Sequence, residues 1–210
     1  IKSLPDGRPL QVTRTPGAKV MPVFSPDGSS VAYTVLGDEW QWDTWLVPIV
    51  GGEPQLMMRN ANSLRWTPDG RLIFSEFKRG SQLAIVTSDA SGADRRDVWV
   101  PALHQMAHHS HVSPDGEQVV IGYMGLGSLS PDFVACFVRP LAEPDAEPRL
   151  VGGGQAPCDM FALFSPDGEW IYFLSNGDEV WREPAAGGEP ERVFGGLDFE
   201  LDAGAFAQFA

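Results

Sequence analysis

All four histidines of the chain fall within eight residues, His104-Gln105-Met106-Ala107-His108-His109-Ser110-His111. In a strand, alternate side chains share a face, so His109 and His111 would lie on one side and His108 on the other. Two imidazoles on one face can ligate zinc, manganese or another transition metal. A metal centre normally recruits further donors from neighbouring strands, and no histidine exists elsewhere in the sequence to supply them. The competing reading is a hydrogen-bonded polar cluster. Apart from that metal at His109 and His111, no cofactor is expected. A second candidate is the segment Gly37-Asp38-Glu39-Trp40-Gln41-Trp42-Asp43-Thr44-Trp45, with three tryptophans and three acids in one short stretch. Exposed aromatics flanked by polar groups make recognition surfaces, so Trp40, Trp42 and His108 form a candidate binding surface. Against it stands the filling of space between neighbouring sheets, for which Trp45 and Trp42 are suited.

The other chemistry-bearing residues read as structure. Met124-Gly125-Leu126-Gly127-Ser128-Leu129-Ser130-Pro131-Asp132 has glycines but no following lysine or helix, and so reads as a loop insertion rather than a phosphate cradle. No Gly-x-Ser-x-Gly elbow occurs and the histidines are confined to one stretch, so a nucleophilic triad has no support and no catalytic residue is assigned. Asp27, Asp69, Asp115 and Asp167 each stand in the same four-residue phrase, which explains all four together.

That phrase is the strongest pattern in the chain. It reads Ser25-Pro26-Asp27-Gly28, Thr67-Pro68-Asp69-Gly70, Ser113-Pro114-Asp115-Gly116 and Ser165-Pro166-Asp167-Gly168, with aspartates 42, 46 and 52 residues apart. Proline presets φ for the first corner of a turn, aspartate suits the second, and glycine accepts positive φ where a strand resumes. Strand formers follow each copy: Val31-Ala32-Tyr33-Thr34-Val35, Leu72-Ile73-Phe74-Ser75, Val119-Val120-Ile121-Gly122-Tyr123 and Trp170-Ile171-Tyr172-Phe173-Leu174. A second phrase interleaves with the first, as in Val50-Gly51-Gly52-Glu53-Pro54 and Ala186-Gly187-Gly188-Glu189-Pro190. Its turn and short polar strand suit an outer edge, where proline and charge discourage edge-to-edge association.

A strand-rich repeat of this period is the signature of a β-propeller blade. The expected fold is therefore all-β: a propeller of four-stranded antiparallel blades, four of them full, at about 20–58, 62–100, 108–152 and 160–194. Residues 1–13 would supply the last two strands of a preceding blade, and residues 203–209 the innermost strand of a following one. One propeller region thus spans 1–210. An open arc of four blades plus fragments is expected, with a tightly closed array of five as the competing arrangement. By register His109 matches Met21 and Phe161 on the innermost strands, and His111 matches Val23 and Leu163.

The net charge of −13, from 28 acids and 15 bases, argues against nucleic acid or an anionic membrane as partner. No apolar run approaches the ~20 residues that cross a bilayer. The chain opens with Ile1-Lys2-Ser3-Leu4 inside a repeat, so a piece of a longer polypeptide is expected, with six to eight blades when complete. Cys136 and Cys158 are too few for a disulfide framework. Two partly buried free thiols are the favoured reading, with a single bridge as the alternative.

At the Ser-Pro-Asp-Gly hairpins the chain resembles the TolB-like propeller family along essentially its whole length. Val47-Pro48-Ile49-Val50-Gly51-Gly52-Glu53-Pro54 and Phe164-Ser165-Pro166-Asp167-Gly168-Glu169-Trp170-Ile171-Tyr172-Phe173 resemble the propeller segment C-terminal to the catalytic domain of bacterial serine/threonine protein kinases. The kinase motifs themselves are absent from this sequence. The resemblance implies a non-catalytic binding module that docks a protein or peptide at its rim or channel, senses for an attached enzyme, and works in a periplasmic or extracytoplasmic setting. Similar propellers imply two alternatives. One is a metal-dependent, sugar-processing propeller like oligogalacturonate lyase, built on His109 and His111. The other is the gating propeller of a prolyl-oligopeptidase-type peptidase.

Overall fold

A computed structural model describes residues 1–37, 41–125, 133–143 and 145–195. Sixteen strands and no helix form among them. They group into four antiparallel meanders: β1 (Lys19–Phe24), β2 (Ser30–Leu36), β3 (Trp42–Pro48) and β4 (Gln55–Met58); β5 (Asn62–Trp66), β6 (Leu72–Phe77), β7 (Leu83–Ser88) and β8 (Arg96–Trp99); β9 (Gln105–Val112), β10 (Gln118–Gly125), β11 (Val134–Pro140) and β12 (Arg149–Leu150); and β13 (Ala162–Phe164), β14 (Trp170–Ser175), β15 (Glu179–Pro184) and β16 (Glu191–Phe194). Each strand pairs with the next in its meander. One parallel bridge, Leu83 to Met106, links the second sheet to the third. The fold is a β-propeller array, and each meander is a blade.

The Ser/Thr-Pro-Asp-Gly phrase makes the hairpin between the first two strands of every blade. Gly28, Gly70, Gly116 and Gly168 donate their amides to the carbonyls of Ser25, Thr67, Ser113 and Ser165 at 2.8–2.9 Å. Their φ values of 68°, 80°, 78° and 75° are left-handed, which is why glycine stands there. Each aspartate accepts from the hydroxyl two residues before it and from the amide two residues after it. These bonds favour the ionised carboxyl and hold Asp27 down to about 2, with the Ser25 hydroxyl the largest cause. The aspartates are accounted for by the turn.

Alternation along the second strand of each blade distributes its apolar side chains to the two neighbouring blades. Ala32 faces the second blade, where it joins Leu64, Leu72, Phe74 and Val86. Ile73 turns the other way, to Val119 and Ile121 of the third. Val120 in turn joins Phe164, Ile171 and Phe173 of the fourth. Nearly continuous apolar strands are what a blade covered on both faces requires. Phe74 and Phe173 are fully buried, and truncating either to alanine would cost about 3–5 kcal/mol.

Two expectations are corrected. Cys136 and Cys158 are not free thiols but a disulfide, with Cα atoms 5.5 Å apart. Cys136 lies on β11 and Cys158 in the segment leading to β13, so the bridge ties the third blade to the fourth. Blade packing brings together two cysteines whose spacing of 22 residues carries no such information by itself. Residues 1–13 form no strands. Instead Ile1 and Leu10 exchange hydrogen bonds, with Leu10 N to Ile1 O at 2.7 Å and the Ile1 ammonium to Leu10 O at 2.9 Å. Prolines at 5 and 9 each remove an amide that a strand ladder would use. The strand expected at 203–209 lies outside the described residues.

Candidate functional site

The innermost strands of the four blades converge. In the first three of them the register with the second strand slips: between Val20 and Val23 on β1, between Asn62 and Arg65 on β5, and between Ala107 and Ser110 on β9. Such bulges re-aim side chains out of the regular pleat. Met21 and Ser63 sit in them with positive φ of 53° each, and His108 and His109 occupy the third. Met21, Ser63 and His109 of these bulges wall a small cleft together with Phe161, Leu64, Arg65, Ser110 and Leu163. All four blades contribute, as expected of a propeller channel.

His109 is the centre of this wall. Its Nδ1 lies 2.9 Å from Ser63 Oγ of the second blade, and its ring stacks on Phe161 of the fourth at 4.5 Å between centroids. His111 accepts the Phe164 amide at Nδ1, 3.1 Å away. Because that nitrogen accepts, the neutral ring carries its proton on Nε2, which faces no partner among the described residues. His108 is buried on the other side. Its ring lies 6.2 Å from Trp42 and 5.9 Å from His109, and its Nε2 has no partner among the described residues. Burial pushes all three imidazoles down, His108 and His111 to about 4 and His109 to about 3, with the Arg65 charge adding to the effect on His109 and His111. They are neutral near pH 7. His104 stands apart, exposed beside Ser81 ahead of β9.

The cluster expected of the histidines therefore exists, and the bonds of His109 and His111 run to two neighbouring blades. As a metal-ligand set it is thin. Among the described residues no group of three or more His, Cys, Asp and Glu comes together. His111 has its one neutral lone pair engaged by a backbone amide. Both histidines can instead serve as hydrogen-bonding groups of the channel.

Of the candidate binding surface, Trp40 lies outside the described residues. Trp42 is half-buried and meets Phe77 of the second blade edge-on, 4.9 Å between centroids. With His108 it forms a row running across three blades, so Trp42 and His108 are neighbours, but His108 is only 7 % exposed and presents almost no surface. Trp45 packs with Val31, Tyr33 and Val47 on the outer face of the first blade. The greater part of the loop after Met124, residues 126–132, is outside the described residues.

Sequence reasoning missed Arg65. It lies on β5 and lines the cleft. No hydrogen bond or ion pair reaches it among the described residues, and desolvation lowers its pKa. An arginine following Leu64 in an apolar strand was the available signal.

No protein-family model matches the chain, and no curated protein matches it. Solved structures do. A putative TolB from Agrobacterium tumefaciens superposes with a TM-score of 0.65 at 22 % identity, covering 88 % of this chain and 65 % of that one. TolB from Acinetobacter baumannii gives 0.61 at 14 % identity, covering 85 % and 44 %. A chain of a nidogen/laminin complex gives 0.65 at 15 % identity, covering 88 % and 66 %. The likeness is one of fold, a TolB-like propeller, and the chain spans less than two thirds of the length of each TolB structure.

Proposed function

We propose that this chain is a non-catalytic binding propeller that captures a protein or peptide at the channel mouth. The observation that carries the reading is the cleft itself. The inner edges of all four blades, three of them bulged, wall one recess with apolar side chains (Met21, Leu64, Phe161, Leu163) and a few polar groups, the composition of a binding site. The TolB-like fold and the nidogen/laminin complex among the similar structures support a protein partner. We place the module as a sensor or interaction domain of a larger bacterial protein such as a serine/threonine kinase. An extracytoplasmic setting fits the disulfide, since such bonds persist in oxidising compartments.

The test is to select binders from a random peptide display library on the purified chain. They are then measured against Leu163→Trp, which fills the cleft, with circular dichroism as the folding control. Enriched peptides whose affinity collapses with Leu163→Trp support the reading. Failure to enrich any peptide, or peptides indifferent to the filled cleft, would sink it.

A further inference from the structure

We propose that the cleft holds a carboxylate subsite, with Arg65 as the cation and Ser110 and the imidazole of His109 as hydrogen-bonding groups around it. The proposal deepens the binding role above and rests on it for the macromolecular source of the carboxylate.

The argument begins with an arginine that lacks an acid. Arg59, Arg71, Arg95, Arg96, Arg149, Arg182 and Arg192 each meet an aspartate or glutamate within 4 Å. Arg65, the one that lines the channel, meets none among the described residues. Supply is not the reason, because acids outnumber bases 28 to 15. A desolvated guanidinium without a counter-charge is costly to keep. It persists where an anion arrives from outside.

The wall around it is made of donors and not of competitors. Ser110 is 2 % exposed, and its hydroxyl has no partner among the described residues. With the Ser63 hydroxyl donating to His109 Nδ1, the ring proton stands on Nε2, which meets no partner among the described residues. Among the described residues no Asp or Glu lines the cleft. A guanidinium fork matches a carboxylate in shape and can bind it through two parallel hydrogen bonds. One cation also matches one negative charge. A phosphate dianion would leave excess charge in a low-dielectric recess of a protein whose net charge is already −13.

Acetate is the probe, followed by NMR at the histidine rings and the arginine Nε–H groups. Saturable shifts centred on His109 and Arg65, absent with acetamide, are expected. Arg65→Gln should weaken acetate at least about tenfold, and Arg65→Lys less, since lysine keeps the charge but not the fork. Arg65→Met guards against misfolding, because removing an unpaired buried charge leaves a fold as stable or more so; it should melt no lower than the parent and show no acetate shift. Equal responses to acetate and acetamide, or full acetate binding by Arg65→Gln or Arg65→Met, overturn the subsite. Three peptides then separate the sources: acetyl-Gly-Gly-Ala with a free C-terminus, the same peptide as its amide, and acetyl-Gly-Asp-Gly amide. Preference for the first assigns a chain terminus, and for the third an acidic side chain. Acetate bound without either peptide keeps the subsite and removes peptide capture. Selected library peptides that bind regardless of Arg65 keep the capture and remove the subsite.

Discussion

The junctions between blades differ along the array. The first two are fastened by buried hydroxyls. Thr34 Oγ1 accepts the Ser63 amide at 3.1 Å, and the Ser75 hydroxyl donates to the His108 carbonyl. In both cases a hydroxyl on the second strand of one blade satisfies a backbone group in the bulge of the next. At the third junction, between blades three and four, Gly122 takes the place of a side chain. A Cβ there would lie 1.9 Å from the Met160 carbonyl oxygen. The fourth blade is drawn directly against the third and secured by other means. One is the Cys136–Cys158 disulfide. Another is Glu183, 2 % exposed, which accepts from Arg149 across the junction and from the Gly152 amide at 2.7 Å. The difference teaches that a repeat conserves a spatial demand, a satisfied bulge and a filled interface, while leaving its chemistry free at each copy.

The largest effect should come from Gly122→Val. Its branched side chain must displace the Met160 backbone, so we expect a loss above about 3 kcal/mol in chemical denaturation, with the fourth blade detaching first. A loss no larger than that of an exposed strand substitution would mean that the close approach is not required. Next comes reduction, or Cys136→Ser with Cys158→Ser. Releasing a loop of 22 residues should lower stability by about 3 kcal/mol. An unchanged melting temperature under reductant would place the holding force of this junction in packing and the Glu183 network alone. Thr34→Val is gentler. It strands the Ser63 amide, and a loss of about 1–3 kcal/mol is expected at the first junction; a neutral result would show that the amide finds water.

The most gradual effect is that of pH. His108 has a folded-state pKa of about 4 against 6.5 for the free side chain, owing to burial. Between those values the unfolded chain binds more protons, so stability falls as pH drops from 6.5 toward 4, by at most about 1.4 kcal/mol per unit for this residue. Melting curves across that window should flatten in His108→Phe. Parallel slopes in parent and variant would assign the acid sensitivity to other groups.

The sequence by itself determined the blade hairpins and the apolar second strands, because proline, aspartate and glycine act through local φ preferences and strand alternation is a property of the backbone. It also located the histidine stretch on an innermost strand. It could not show that His109 would reach Ser63 and Phe161 on two other blades, that Cys136 would meet Cys158, or that Arg65 would stand in the channel without an acid. Those outcomes depend on distances between residues 22 to 53 positions apart in the chain. Only the packing of one sheet on the next sets such distances, so they were decided by the tertiary structure.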